Sequence, residues 1–281
     1  MESLLINRLS TLAHPGRMAM FRLLMRRCPD EVTAGEIAQA LDLKPSTASV
    51  YFSALTKDGL ITQRREGTRL LYTVNPAAAR EVVAGIFLDC CRGRADMCPP
   101  EIATLFQDLA PSDDSKFNVL FVCSGNSARS IFAEAILRDL AGDRFNAFSA
   151  GTAPRDSVNL RVLELLKAKG HDVTELRTKG VTAFQAPDAP RMDFVFTVCD
   201  RAANEDCPTW AGQPVSGHWG VPPPVKASGT EAERRLAFQH AYGALQNRIA
   251  AFTALPFALL DRGTLQKRVD DIGKATTTPG N

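Results

Sequence analysis

The sequence has almost no net charge, few histidines and no long apolar run. Its 33 lysine and arginine residues nearly balance 31 aspartate and glutamate residues, for a net charge of +2. An argument for nucleic-acid binding therefore has to rest on local clusters of charge. No apolar stretch approaches the roughly 20 residues of a membrane-spanning helix, and the first residues, MESLLINRLS, lack the basic-then-apolar layout of a signal peptide. We therefore expect a cytoplasmic protein without a membrane partner.

Cysteine, by contrast, is well represented, with seven residues in the chain. The cytoplasm keeps thiols reduced, so these cysteines indicate chemistry or ligand binding more than structural disulfides. Five of them fall into two groups along the chain: Cys90, Cys91 and Cys98, and Cys199 with Cys207. Cys123 lies at the end of an apolar run.

The 281 residues are enough for two compact domains. The clearest boundary is the stretch LAPSDDSKF, where proline, serine and aspartate separate two well-patterned regions. We predict an N-terminal domain over residues 1–110, a linker over 111–116, a C-terminal domain over 117–273 and a disordered tail over 274–281.

The first hundred residues predict helices followed by a hairpin. Pro15 favours a helix start, and Thr33 has a glutamate three residues on, the spacing of a capping box. In KPSTASVYFSALTKDGL, Ser46 is expected to start a helix that ends at Gly59. Two short strands around a Glu66–Gly67 turn follow, and NPAAAREVVAGIFLDCC adds an apolar helix suited to dimerisation. This order predicts a mainly α, winged helix-turn-helix domain.

The second region alternates strands with helices. NVLFVC is a continuous apolar run, typical of a strand buried on both faces of a parallel sheet. The helix SIFAEAILRDLAG, the strand FNAFSAG, the helix NLRVLELLKAKG and the strand DFVFTVC follow, before a long helix with a capping box at its start. This alternation predicts an α/β sandwich with a central parallel sheet. Ligands of such sheets bind at the carboxyl ends of strands, where Cys123 and Cys199 fall.

The segment VLFVCSGNSARS combines a strand end, a loop of small residues and a helix start. Cys123 and Arg129 bracket five residues small enough for the backbone to curl around a tetrahedral oxyanion: Ser124, Gly125, Asn126, Ser127 and Ala128. Loop N–H groups at a helix N-terminus attract anions, and the Arg129 guanidinium offers a planar fork for two oxygens. The same positive field favours the nucleophilic thiolate of Cys123, to which Ser130 could donate a hydrogen bond. No Gly-Lys-Ser/Thr follows, so this is not the nucleotide-binding P-loop.

Residues 117 to about 270 resemble the low-molecular-weight phosphatase fold, and specifically its arsenate reductase branch. The resemblance rests on CSGNSARS, SAGT, DFVFTVCD, CPTWAGQP and HWGVP. It implies that Cys123 attacks the arsenic of arsenate while Arg129 and the loop amides hold its oxygens. It also implies that Cys199 then attacks Cys123 and expels arsenite, and that Cys207 passes the disulfide to thioredoxin. A small thiol such as glutathione is the alternative reductant, and no tightly bound cofactor is expected.

The sequence departs from this family pattern at two points. A proton-donating aspartate usually follows His-Trp-Gly, but HWGVPPPV has Pro223 in that position. Because a general acid contributes ~10²–10⁴-fold, slow turnover is expected, with Asp188 and Asp200 as candidate substitutes. The acidic pair that supports a cation site in some members is also absent from KGVTAF. Three residues of such a site remain, Asn126, Glu134 and Ser149, so a weak cation site is possible there, but no metal other than arsenite is expected.

LAHPGRMAMFRLL, TAGEIAQAL, STASVYFSALTKDGLI and RREGTRLLYTV resemble the ArsR-type metal-responsive repressors over residues 4–98. The resemblance implies a homodimer that binds operator double-stranded DNA through this domain. The second helix of such a motif enters the major groove, which gives five candidates for base contacts: Ser46, Thr47, Ser49, Val50 and Ser53. Three arginines beside the hairpin turn are candidates for phosphate contacts: Arg64, Arg65 and Arg69.

The segment LDCCRGRADMC offers a site for a soft ion. Arsenite can form three bonds to sulfur, and Cys90, Cys91 and Cys98 supply three thiolates. Zinc normally takes four ligands, and no histidine lies nearby. The pattern resembles one arsenite-sensing subtype of these repressors. We predict that arsenite binding here changes the geometry of the dimerisation helix and weakens the affinity for DNA.

Together these motifs predict an arsenite-responsive repressor fused to an arsenate reductase. Arsenate reduced at Cys123 would supply the arsenite that the N-terminal cysteines bind. Two alternatives stay open: a pure regulator whose second domain only binds arsenate or phosphate, and a protein tyrosine phosphatase. The missing proton donor counts against the phosphatase.

Overall fold

A computed structural model describes residues 2–86, 116–186, 188–205, 210 and 213–275 of the chain. The chain divides into two compact units, one formed by the N-terminal 103 residues and the other by most of the remainder. None of the described helices combines the length and the apolar composition that crossing a lipid bilayer requires.

The N-terminal unit has the predicted order of helix, turn, helix and hairpin. Its elements are α1 (Glu2–Leu12), α2 (Pro15–Arg27), β1 (Val32–Thr33), α3 (Ala34–Ala40), α4 (Pro45–Lys57), β2 (Ile61–Glu66), β3 (Arg69–Val74) and α5 (Pro76–Ala84). The three strands form an antiparallel sheet in the order β1-β3-β2. The winged helix-turn-helix prediction is confirmed.

Local signals set the ends of α3 and α4. The Thr33 hydroxyl caps α3 by accepting the backbone N–H three residues on, at 3.2 Å. The start of α4 differs from the prediction, because Pro45 is its first residue and Lys44 is its N-cap, without a side-chain cap bond. Ser46 therefore lies within the first turn, since the fixed φ of proline already suits the helix start. Gly59 ends this region in the left-handed conformation, with φ of +69°.

The hairpin turn lies one residue later than predicted. Glu66 pairs with Arg69 in the antiparallel register, which leaves Gly67 and Thr68 as the two-residue turn. Gly67 has φ of +60°, a conformation that two-residue hairpin turns require and that glycine adopts without strain. The wing thus projects as a tight ribbon, and residues 62–70 are all exposed.

The C-terminal unit is an α/β sandwich around a parallel sheet. Its elements are β4 (Phe117–Cys123), α6 (Arg129–Ala141), β5 (Phe145–Gly151), α7 (Leu160–Ala168), β6 (Phe194–Thr197), α8 (Asp200–Asn204), β7 (Val215–His218), α9 (Glu231–Thr253) and α10 (Arg262–Lys274). The strand order is β5-β4-β6-β7, and every neighbouring pair is parallel. The predicted fold class is confirmed.

Three elements of this unit were not predicted from the sequence: β7, α8 and α10. β7 is a four-residue edge strand with a glycine in its middle, which weakens its pattern. That glycine has a packing reason, because a Cβ on Gly217 would lie 2.6 Å from Val269 Cγ1 of α10. α10 buries Leu265 and Val269 and ends at Lys274. The helix therefore runs one residue past the predicted domain end, and residues 276–281 of the expected tail lie outside the described residues.

Candidate functional site

The central strand of the sheet fixes Cys123 at the sheet's carboxyl edge. β4 pairs with β5 on one side and β6 on the other, and Cys123 is its last residue. Residues 119–122 of this strand are fully buried. Helix α6 begins at Arg129, so the five loop residues turn the chain from strand to helix around the thiol. This is the strand–loop–helix geometry that the sequence motif predicts.

The sulfur of Cys123 contacts two polar groups of the loop and helix. Ser130 Oγ lies 3.0 Å from Cys123 Sγ, and the backbone N–H of Asn126 donates to the sulfur at 3.2 Å. Cys123 is 3% exposed and Ser130 is fully buried. The Asn126 N–H is thus one donor aimed at the sulfur, and the Ser130 hydroxyl lies within hydrogen-bond distance of it.

The loop carbonyls are bound by the segment that follows β5. Backbone N–H groups of residues 152, 153, 155 and 159 donate to the carbonyls of Cys123, Ser124, Gly125 and Ser127 at 2.8–3.1 Å. The end of β5 also lies close, since a Cβ on Gly151 would be 2.7 Å from the Ser124 carbonyl oxygen. The carbonyl oxygens of the loop thus accept hydrogen bonds from backbone N–H groups outside the loop. Because these oxygens are already paired, the loop suits binding of an anion by its own N–H groups.

Asn126 has a left-handed backbone conformation, and hydrogen bonds of its side chain stabilise that conformation. Its φ is +41°, in the left-handed region that a non-glycine residue adopts uncommonly. Asn126 Oδ1 accepts the backbone N–H of Lys179 at 2.6 Å, while Nδ2 donates to Ser130 Oγ at 2.9 Å and to Ser149 Oγ at 2.8 Å. The side-chain amide therefore links the loop to α6, β5 and the segment at residue 179.

A lysine lies at the possible cation site formed by Asn126, Glu134 and Ser149. Ser149 Oγ donates to a carboxylate oxygen of the buried Glu134. Lys179 Nζ lies 3.1 Å from each of the two Glu134 carboxylate oxygens. Lys179 was not among the predicted site residues, because it is separated from Glu134 by 45 positions along the chain and carries no local motif.

Arg129 is held against the segment that follows β7. Its Nη1 donates to the Val221 carbonyl at 2.8 Å. Pro223 comes two residues later, half-buried, and is the N-cap of a short 3-10 helix at Pro224–Lys226. The Arg129 guanidinium therefore contacts the segment that contains Pro223, the position at which the family resemblance implies a proton donor.

The two candidate substitutes for the missing acid lie in different surroundings. Asp200 Oδ1 is 3.1 Å from Nε2 of the buried His218. A Cβ on Gly220 would be 2.7 Å from the same oxygen, so Asp200 lies beside the His-Trp-Gly segment. Asp188 is exposed in the loop before β6.

Cys199 lies at the edge of the same loop. β6 pairs with β4 so that Val122 is opposite Thr197, which brings the chain after both strands to one edge of the sheet. Cys199 Sγ is 3.5 Å from Ser124 Oγ and accepts the backbone N–H of Ala202 at 3.4 Å. The thiol is 1% exposed. The fold thus brings a second thiol into contact with the loop that carries Cys123.

In the N-terminal unit, α4 presents the predicted polar face. Ser46, Ser49, Val50 and Ser53 are exposed and Thr47 is half-buried; Val50 is 65% exposed. The opposite face of α4 is anchored in the core by Ala48, Phe52 and Leu55. Tyr51 turns towards α2, where its ring centroid lies 5.0 Å from that of His14.

The wing arginines have unequal surroundings. Arg64 forms an ion pair with both carboxylate oxygens of Glu31 and a longer contact of 3.4 Å with Glu66. The hydrogen bonds from Arg64 lower the pKa of Glu31 below its ordinary value. Arg65 Nε donates to the Gly67 carbonyl at 3.2 Å, and Arg69 is exposed. A phosphate contact by Arg64 would therefore have to compete with Glu31.

Four of the predicted site residues lie outside the described residues: Cys90, Cys91, Cys98 and Cys207.

Two family descriptions match the chain, one for each unit. Residues 118–263 match "Low molecular weight phosphotyrosine protein phosphatase". Residues 12–64 match "Helix-turn-helix domain". The first match falls on the parallel-sheet unit, and the second covers α2 to most of β2 in the winged helix.

Individual relatives match the C-terminal unit over nearly their whole length. An arsenate reductase of Bacillus licheniformis is 33% identical over 139 residues, which cover 49% of this chain and 96% of that protein. An arsenate reductase of Bacillus subtilis is 31% identical over 134 residues, covering 48% of this chain and 93% of the relative. Among solved structures, a thioredoxin-dependent arsenate reductase of Corynebacterium glutamicum matches with a TM-score of 0.36 and 21% identity, over 52% of this chain and 67% of the other.

Proposed function

The chain belongs to the low molecular weight phosphotyrosine protein phosphatase family through residues 118–263, and from this membership we propose that its C-terminal unit reduces arsenate to arsenite. The observation that carries the proposal is the pair of thiols at one sheet edge. Cys123 ends β4 inside the small-residue loop, and Cys199 contacts that loop through Ser124. A phosphatase needs only the first thiol, whereas a reductase needs both. The relatives of this unit that are named arsenate reductase support the same choice.

The proposed reaction transfers two electrons from two thiols to arsenic. The Cys123 thiolate attacks arsenate, forms a sulfur–arsenic bond and releases one oxygen as water, while Arg129 and the loop amides hold the remaining oxygens. The Cys199 thiolate then attacks Cys123 Sγ. The electron pair of the sulfur–arsenic bond stays on arsenic, which leaves as arsenite, and a Cys123–Cys199 disulfide remains. Cys207 can attack Cys199 and free the Cys123 thiol, which leaves a Cys199–Cys207 disulfide. Thioredoxin, or two molecules of glutathione, then reduces the remaining disulfide and is itself oxidised to a disulfide.

Pro223 makes the first step slow. The oxygen that leaves arsenic must gain protons to depart as water, and a proline side chain has none to donate. A positioned general acid contributes ~10²–10⁴-fold, so we expect oxyanion binding to persist while turnover is low. Asp200, beside the His-Trp-Gly segment, is the carboxylate that the geometry favours as a partial substitute.

We propose that the N-terminal unit is a DNA-binding repressor. The exposed face of α4 would contact base edges through Ser46, Thr47, Ser49, Val50 and Ser53, and Arg65, Arg69 and, after release from Glu31, Arg64 would contact phosphates. Arsenite bound by Cys90, Cys91 and Cys98 would relieve repression. A homodimer is supported by apolar side chains left exposed on α1 and around the end of α5: Leu4, Ile6, Val83 and Ile86.

The proposal for the reductase is tested by measuring arsenite directly. Purified protein is incubated with arsenate and either thioredoxin with its reductase or glutathione, and arsenite is quantified over time. We expect arsenite from the native chain, none from Cys199→Ser, and native levels from Cys28→Ser, whose thiol lies in the N-terminal unit. Arsenite from neither reductant would overturn the reductase and support a pure oxyanion sensor. Hydrolysis of an aryl phosphate that is unaffected by Cys199→Ser would support the tyrosine phosphatase instead.

A further inference from the structure

We propose that the ammonium group of Lys179 is a built-in cation of the candidate active site, so that the Cys123 loop is positioned without a bound metal ion. The inference rests on the proposed function only in that Cys123 is taken as the reactive thiol. Lys179 is a positioning residue, because it acts on the sulfur through Glu134 and Asn126 rather than by contact.

The ammonium group fits the buried carboxylate as a cation would. Lys179 Nζ is equidistant from both Glu134 oxygens, at 3.1 Å. The side chains of Lys179 and Glu134 are only 15% and 8% exposed. A carboxylate this far from water needs a compensating charge, and the lysine supplies it within the same fold.

A continuous set of hydrogen bonds joins this ion pair to the nucleophile. Glu134 accepts from Ser149, Ser149 accepts from Asn126 Nδ2, and the same Nδ2 donates to Ser130, whose Oγ lies 3.0 Å from Cys123 Sγ. The backbone N–H of Lys179 binds Asn126 from its other end, at Oδ1. Lys179 therefore holds both ends of the amide that keeps residue 126 at a φ of +41°. Moving that amide would move the N–H that donates to the sulfur.

A metal ion does not fit these residues. The Asn126 amide oxygen accepts the backbone N–H of Lys179, Ser149 Oγ accepts from Asn126 Nδ2, and the Glu134 carboxylate faces the ammonium group. Each oxygen that a potassium or sodium ion would bind thus already accepts a hydrogen bond or faces the ammonium charge. In this proposal an internal ion pair takes the place of the weak cation site considered at these three residues.

The test follows alkylation of Cys123 by iodoacetamide as a function of pH, using peptide mass spectrometry of the full chain. Rates are compared in potassium chloride and in tetramethylammonium chloride at equal ionic strength, for the native chain, Lys179→Met, Lys179→Arg and the exposed-lysine control Lys167→Met. We expect the native rate to be the same in both salts. Lys179→Met should react roughly tenfold more slowly at neutral pH, and potassium should restore part of the rate. Lys179→Arg and Lys167→Met should stay close to native.

Two results would overturn the proposal. One is a native rate that rises with potassium, which requires no variant to fold. The other is a Lys179→Met profile that matches Lys167→Met. If Lys179→Met melts at a much lower temperature than the native chain, the double variant Glu134→Gln, Lys179→Met is measured instead. This variant removes both charges together and should recover most of the native alkylation rate. A folded double variant that does not recover the rate also contradicts the proposal. Alkylation is independent of arsenite formation, so failure of the reductase leaves this outcome readable.

Discussion

At the scale of single residues, the proposed mechanism makes Pro223 the position at which oxyanion binding and turnover are expected to part. The loop, Arg129 and both thiols are in place, but the position after His-Trp-Gly-Val-Pro carries no proton. Binding of a tetrahedral oxyanion depends on N–H groups and charge, which proline leaves intact. Protonation of the leaving oxygen depends on a group that the chain lacks at this point.

Restoring that group is expected to raise the rate of reduction. Pro223→Asp places a carboxylic acid two residues from the Val221 carbonyl that Arg129 binds. We expect turnover to rise at least ~10-fold, a part of the ~10²–10⁴-fold that a fully positioned general acid contributes. The neighbouring exposed Pro222 provides the matched control, since Pro222→Asp adds the same charge one residue away. The measurement is arsenite formation under saturating arsenate. Equal rates for the two variants would show that position 223 does not serve the leaving oxygen.

The positions of candidate site residues can be predicted from the sequence where a motif is local. Cys123, Arg129 and Ser130 follow from spacing within eight positions, and the fold places all three at the sheet edge. Lys179 could not be predicted, because its role depends on Glu134, 45 positions earlier. The ion pair of Arg64 in the wing could not be predicted either, because its partner Glu31 lies 33 positions away in the sequence.

At the scale of elements, the end of β5 packs directly against the backbone of the Cys123 loop. Gly151 pairs with Cys123 in the parallel register. A Cβ at this position would lie 2.7 Å from the Ser124 carbonyl oxygen and 2.9 Å from the Asn126 nitrogen. Both are backbone atoms, so a side chain here can be accommodated only by moving the loop.

We therefore expect Gly151→Ala to impair the loop while a glycine elsewhere tolerates the same change. Gly243 lies in α9, where an added Cβ would meet no atom within 4 Å, and Gly243→Ala should stabilise the unit by up to ~1 kcal/mol through helix propensity. Gly151→Ala should lower the melting temperature and weaken protection of Cys123 by phosphate against alkylation. Phosphate protection equal to native in Gly151→Ala would contradict the tight approach of β5 to the loop.

Elements with strong periodicity were predicted, and weakly patterned ones were not. β4, α6, β5, α7 and β6 follow from apolar runs and caps in the sequence. β7 is four residues long with a glycine that only its packing against α10 explains. The sequence predicts the start of α4 at Ser46 because serine caps helices, but Pro45 before it fixes the first turn.

At the scale of the whole molecule, the boundary predicted near residues 111–116 separates two patterns of different period. The helical pattern with a hairpin gives one unit, and the strand–helix alternation gives the other. Each pattern predicts its own fold because the contacts that define it are local to that half. The proposed link between the halves is chemical: the product of the second unit is the effector of the first.

This link predicts that arsenate acts on DNA binding only through Cys123. The full chain is bound to operator DNA, and release is followed by fluorescence anisotropy after addition of arsenate with a thiol reductant, or of arsenite alone. Native protein should be released by both. Cys123→Ser should lose the response to arsenate, because no arsenite forms, and should keep the response to arsenite at the N-terminal cysteines. If arsenate released Cys123→Ser from the DNA as readily as it releases the native protein, the oxyanion would be sensed without reduction. The variant makes no arsenite, so arsenite could not account for such a response.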